Sequence, residues 1–145
     1  MARTQVGVSN GSGRHQIGEI ARRCHLSLRT LRYWEEVGLI VPVGRTAGGF
    51  RLYSDAELAK VRLIRAMKPT DLTIDELREL VHLVDEVRAF RASAIDARPA
   101  EAIPRLEGFI SRIRVHCEVL RGRLDDAEAA TLELESLVEG ANPGT

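Results

Sequence analysis

Aromatic residues are scarce in this chain, with three Phe, two Tyr and a single Trp among 145 residues. Any core must therefore be built mainly from Leu, Ile, Val and Ala, which favours helices. Cysteine is rarer still. Cys24 and Cys117 lie far apart inside helical patterns, which argues against a disulfide framework and for free thiols. No run of about 18 apolar residues exists to span a membrane, and the first residues lack the basic-then-apolar pattern of a secretory signal. A cytoplasmic chain without membrane contact is expected. Parts for catalysis are missing too. There is no glycine-rich phosphate loop and no nucleophile beside a plausible base. Paired carboxylates occur only on solvated helix faces, such as Asp125 and Asp126, so an enzyme is not expected.

What the chain does have is charge, and it is divided. The formal net charge is zero, yet residues 1–68 hold 12 Lys and Arg against 5 Asp and Glu, and residues 69–145 hold 9 against 16. A half at +7 joined to a half at −7 suggests a polyanion-binding head and a tail kept off the polyanion.

Residues 1–14 are rich in Gly, Ser and Asn without hydrophobic periodicity and read as a flexible tail. Ile17, Ile20, Ala21 and Cys24 then recur at three and four residues, the spacing of one helix face. Ser27 can cap a second helix running through Leu28, Leu31, Arg32 and Trp34 to a glycine stop at Gly38. Two short helices around a tight turn form a helix-turn-helix, whose second helix enters the major groove of DNA. Its exposed face carries Arg29, Arg32 and Tyr33. Two β-prone runs, Leu39 to Val43 and Phe50 to Tyr53, flank the glycine-rich stretch 44–49 and describe a hairpin long enough to be a wing. Ser54 with Glu57, and Thr73 with Glu76, make capping boxes for a third and a fourth helix, and Pro69 ends the third. Leu58, Val61 and Ile64 line the third helix, and Leu77, Leu80, Val81, Val84 and Val87 the fourth.

A weak stretch, 91–103, with Pro99 inside it and Pro104 just after it, reads as a linker or a broken helix, and after it comes the most regular pattern of all. Ile110, Cys117, Leu124, Thr131 and Val138 share one heptad position, while Leu106, Ile113, Leu120, Ala127 and Leu134 share the other. About five heptads make a seam of roughly 45 to 50 Å over residues 104–139. The economical partner is a second copy of the chain, with Leu106, Ile110, Ile113, Cys117, Leu120 and Leu124 as dimerisation residues. The competing arrangement folds the seam onto the fourth helix. Ala127 and Thr131 weaken its far end and favour a shorter or antiparallel pairing over a long parallel zipper. Residues 140–145 read as a second flexible tail.

The order of four motifs carries a family pattern: IGEIARR from Ile17, TLRYWEEVGLI from Thr30, GGFRLYSDAEL from Gly48 and LTIDELREL from Leu72. Over nearly half its length the chain resembles the mercury-resistance-regulator (MerR) family. The resemblance implies a mainly α fold: a winged helix-turn-helix head at 15–90 with a small β-hairpin wing, then helices and a C-terminal coiled coil. It also implies a homodimer on a palindromic promoter operator. Transcription would then change by DNA distortion, with RNA polymerase as a partner through the promoter. Carried over by position, Arg32 and Tyr33 match the recognition helix, and Arg51 and Tyr53 match the wing. The expected DNA-binding set is Ser27, Arg29, Thr30, Arg32, Tyr33, Trp34, Arg45, Arg51, Tyr53 and Lys68. Leu31, Trp34, Leu39, Ile64 and Leu77 read better as core than as contacts, and Tyr53 can equally be core with its hydroxyl at the edge. The sequence departs from the family at Trp34 and Phe50, which replace a second aromatic hydroxyl and a wing Tyr, and at Asp71, where Gly is common.

Effector chemistry has one candidate, His116 with Cys117. Two metal ligands per chain are thin, so no metal and no cofactor are expected. Cys117 within the seam acts as a small hydrophobe or, if two copies meet across the seam, as a redox sensor. Two alternatives to the regulator remain: an effector-free architectural DNA binder, and a helical protein-interaction module.

Overall fold

A computed structural model of the chain describes residues 13–93 and 99–141. The chain divides into a head, up to Arg98, and an arm from Pro99 onward.

In the head, β1 (Arg14–Gln16) leads directly into α1 (Ile17–Cys24). The helix stops at His25, whose left-handed backbone (φ 53°) lets the Leu26 N–H return to the Ala21 carbonyl at 3.0 Å. Next comes α2 (Leu28–Glu36), with the Ser27 hydroxyl accepting the Thr30 N–H at 3.0 Å. Gly38 turns the chain away at φ 77°, and the Leu39 N–H closes on the Trp34 carbonyl at 2.8 Å. The glycine stop lies where the sequence places it.

The strand expected from Leu39 onward is shorter. Leu39 and Ile40 are fully buried in the core, and β2 is only Gly44–Arg45. Two features explain the late start: the Val41 N–H is taken by a carboxylate oxygen of Glu57 at 2.9 Å, and Pro42 has no N–H to give a ladder. Pairing begins with the Val43 N–H on the Leu52 carbonyl at 2.8 Å. β3 (Arg51–Ser54) is the central strand of an antiparallel sheet ordered β1-β3-β2, with His15 opposite Tyr53 and Arg45 opposite Arg51. Arg14 therefore belongs to a strand, a correction to the tail assigned to residues 1–14; residues 1–12 of that tail lie outside the described residues.

α3 (Asp55–Met67) starts with half of its expected capping box. Ser54 accepts the Glu57 N–H at 3.2 Å, but the Glu57 carboxylate turns inward to Val41 and Lys60. A 3-10 turn, Lys68–Thr70, contains Pro69 and passes the chain through Asp71 at φ 54°. Glycine takes that left-handed conformation with the least strain. α4 (Ile74–Ala92) has the full box, with Thr73 and Glu76 each bonding the other's backbone. The core gathers Ile20, Leu31, Trp34, Leu39, Ile40, Tyr53, Val61, Ile64 and Leu77 from nearly every element of the head.

The arm is one helix, α5 (Ala102–Ala141), 40 residues or about 60 Å long. α4 reaches Ala92 and α5 starts at Ala102, so both ends of the expected 91–103 linker are helical, and its middle, 94–98, lies outside the described residues. The tail expected at 140–145 is helical through Ala141; residues 142–145 are not described.

Candidate DNA-binding surface

The turn between α1 and α2 leaves one face of α2 in the core and the other in solvent. Leu31 and Trp34 point inward, with relative exposures of 0% and 4%, while Arg29, Arg32 and Tyr33 are exposed. Neither Arg29 nor Arg32 is paired with a carboxylate among the described residues. Two uncompensated guanidinium groups on a short helix suit the major groove, where Arg reads guanine through two hydrogen bonds. Ser27 and Thr30 stand at the start of this helix with their hydroxyls 2.9 Å apart, so both are already engaged in the cap.

The wing tip is closed by its own backbone. Thr46 N–H meets the Phe50 carbonyl at 2.8 Å, Gly49 N–H meets the Thr46 carbonyl at 2.9 Å, and Gly49 takes φ 84°. Arg45 is exposed and caps the Gly49 carbonyl at 3.3 Å. Phe50 is 65% exposed, a large apolar ring at the tip of a polar loop. Arg51 points to α2, where its guanidinium lies 3.1 Å from the Glu35 carboxylate.

No motif or spacing in the sequence singles out Glu35. Besides pairing with Arg51, it accepts a hydrogen bond from the Tyr53 hydroxyl. One carboxylate thus ties the recognition helix to two residues of the wing strand. Tyr53 is fully buried, and burial first, then the bond to Glu35, holds its pKa well above the ordinary value. Its expected role as a DNA contact is corrected on this ground: the ring is core and the hydroxyl is occupied. The same holds for Trp34, whose indole is buried in the cluster with Lys68 over its ring at 5.8 Å from the centroid. Lys68 itself is exposed at the end of α3.

A second polar network holds the rear of the head. The Lys60 ammonium, 4% exposed, bonds Glu57 at 2.8 Å and Asp85 of α4 at 2.6 Å. Burial alone would lower its pKa; the hydrogen bonds to Asp85 and Glu57 outweigh that, and the value ends raised. Lys60 is thereby removed from the cationic surface and instead joins α3, α4 and the Val41 loop.

On the arm, Leu106, Ile113, Cys117 and Leu120 are half-buried, whereas Ile110 and Leu124 are exposed. Every residue from 121 to 141 is exposed, including Leu124, Leu134 and Val138 of the heptad seam. This half of the stripe has no covering partner among the described residues. No described helix is long and apolar enough to cross a membrane.

The same head occurs in known proteins. Residues 16–83 match the family model described as MerR HTH family regulatory protein. The mercuric resistance operon regulatory protein of Bacillus cereus is 29% identical over 111 residues, covering 70% of this chain and 84% of that protein. HmrR, an HTH-type transcriptional regulator of Sinorhizobium medicae, is 33% identical over 98 residues, 68% of this chain and 66% of its own. Among solved structures, HiNmlR, a MerR family regulator lacking the sensor domain and bound to promoter DNA, superposes with a TM-score of 0.61 at 20% identity, covering 85% of this chain and 91% of its own. At that identity the superposition speaks for the fold, and the sequence relatives are transcriptional regulators. With its motifs in order and its winged helix-turn-helix in place, this chain belongs to the MerR family of helix-turn-helix transcriptional regulators.

Proposed function

We propose that the protein acts as a homodimer on a palindromic promoter operator. Each α2 enters a major-groove half-site, and each wing lies along the flanking phosphates. The observation that carries this reading is the outward face of α2, where Arg29 and Arg32 stand exposed without a carboxylate partner among the described residues. Arg29 and Arg32 read base edges; Arg45 and Lys68 supply charge to the backbone and fix the register, while Arg51, paired with Glu35, holds the wing against α2. Pairing of two arms along the exposed seam of α5 sets the spacing of the half-sites. The heads then bend and untwist the DNA between them, which changes access of RNA polymerase to the promoter. The protein works in the cytoplasm as a regulator rather than an enzyme. The DNA-bound state of HiNmlR, a MerR family regulator lacking the sensor domain, supports DNA binding by this fold.

The test uses duplex DNA recovered from a random pool. Arg32→Ala should weaken the selected site by about 1–3 kcal/mol per protomer and relax preference at one base position. Arg45→Ala should weaken all sequences alike and flatten the salt dependence, by about 1 in slope for each phosphate that is no longer neutralised. Unchanged binding in both variants would assign the polyanion-binding surface elsewhere.

A further inference from the structure

Beside the recognition helix, the head contains a groove of about 450 Å³ formed by α2, α3, the 3-10 turn and the start of α4. Its volume falls within the roughly 300 to 1,000 Å³ typical of small-molecule sites. The apolar wall is made by Trp34, Ile64, Leu72 and Leu77, and the cations are Arg29 and Lys68. Thr30 and Tyr33 add two hydroxyls, and no carboxylate is among its described lining residues. Lys68 lies over the indole of Trp34, so its charge is held beside the apolar wall and not directed away from it.

We infer that this groove binds a small aromatic acid, ring against Leu72 and Ile74 above the edge of Trp34, carboxylate toward Lys68 and Arg29. Charge selects the occupant. Two cations around an apolar wall, with no carboxylate among the described lining residues, favour an amphipathic anion over a neutral or cationic molecule. The groove also shares Arg29, Tyr33 and Lys68 with the surface assigned to DNA, so an anion seated there neutralises the charges the operator needs. Binding of acid and DNA is then mutually exclusive, an inference that rests on the proposed DNA-binding role. Linkage makes the antagonism reciprocal.

Trp34 is the only tryptophan of the chain and forms the groove wall, so its emission reports occupancy directly. The full chain is titrated with 2-naphthoate, with the neutral 2-naphthamide as control, by calorimetry and Trp34 emission. The acid should bind saturably and perturb Trp34, and the amide should bind at least fivefold more weakly. Lys68→Gln, with helicity confirmed by circular dichroism, should reduce affinity for the acid about fivefold and leave the amide unaffected. Leu72→Ala should weaken both. Absence of saturable binding, equal binding of acid and amide, or indifference to Lys68→Gln would overturn the site. In a second arm, 2-naphthoate should release DNA selected from a random pool. A protein that binds this DNA but not the acid refutes the groove and leaves the operator reading standing; one that binds the acid but no DNA refutes the operator reading instead. Acid and DNA bound together overturns the exclusion.

Discussion

The head and the arm solve the burial problem in opposite ways. In the head, apolar residues from both helices of the helix-turn-helix, the loop after Gly38, the central strand, α3 and α4 close on one another, so that Ile20, Leu31, Leu39, Tyr53 and Val61 are fully buried. In the arm, the most regular hydrophobic pattern of the sequence leaves Leu124, Leu134 and Val138 each more than half exposed. Regular periodicity is thus not a sign of self-sufficiency. The head's pattern is interrupted by caps, a glycine and a proline, and its partners come from within; the arm's pattern runs unbroken, and its second half finds no cover among the described residues.

The contrast can be broken first in the arm. Leu124→Lys with Leu134→Lys puts charge at two exposed seam positions without touching the head's core. Sedimentation should show monomers, and DNA affinity should drop by roughly 10² to 10⁴ as two linked heads become one. The head's circular dichroism and its own melting should be retained. Next in size is the core: Ile40→Ala should lower the head's stability by about 3 kcal/mol in urea unfolding, while Val43→Ala, just beyond Pro42, should change it by less than about 0.5 kcal/mol. Equal effects at the two positions would return both residues to one exposed hairpin strand.

Those two residues also show where the sequence was legible and where it was not. The elements set by neighbours within four residues are readable: the Ser27 cap, the Gly38 stop and the Thr73–Glu76 box lie in the structure as the sequence implies. Features that depend on distant partners are not. β1 is three residues long and has no pattern of its own; it exists because residues 14–16 find β3 some forty positions later. Leu39 and Ile40 look like strand by composition, but the core claims them first. Glu57 satisfies a local capping motif by its spacing, yet its carboxylate goes to a backbone N–H 16 positions earlier and to a buried lysine. Of the candidate DNA surface, exposure of Arg29, Arg32 and Tyr33 follows from helical phase. Burial of Tyr53 and the role of Glu35 require knowing that the wing strand packs against α2, which no periodicity encodes.

The link between wing and recognition helix gives a smaller and pH-dependent effect. Tyr53→Phe should cost about 1.5 kcal/mol near neutrality by removing the hydroxyl bond to Glu35. Tyr53 and Lys60 both have pKa values raised in the folded state above 10.0 and 10.5, so their contributions are present below those values and lost as pH rises beyond them. Stability of the parent protein should therefore fall above about pH 10, and Tyr53→Phe should flatten part of that decline. A variant with an undiminished alkaline decline would leave Lys60 as the sole source.

Smallest are the backbone turns that bound the recognition helix. Gly38→Ala meets open space at its new Cβ but must hold φ 77°, and should cost about 1 kcal/mol. His25→Gly relieves the same strain at φ 53° and should gain about 0.5 kcal/mol after the added chain entropy, both read as shifts in melting temperature.

Selection of bound duplexes from a random DNA pool by the 145-residue chain tests the central claim most directly, since it requires the head to read bases and the arm to pair at once. The expected result is an enriched palindrome whose two half-sites are centred whole helical turns apart, with affinity falling steeply as salt rises. Enrichment of a single half-site would contradict the paired arm, and no enrichment at all would contradict the reading of α2.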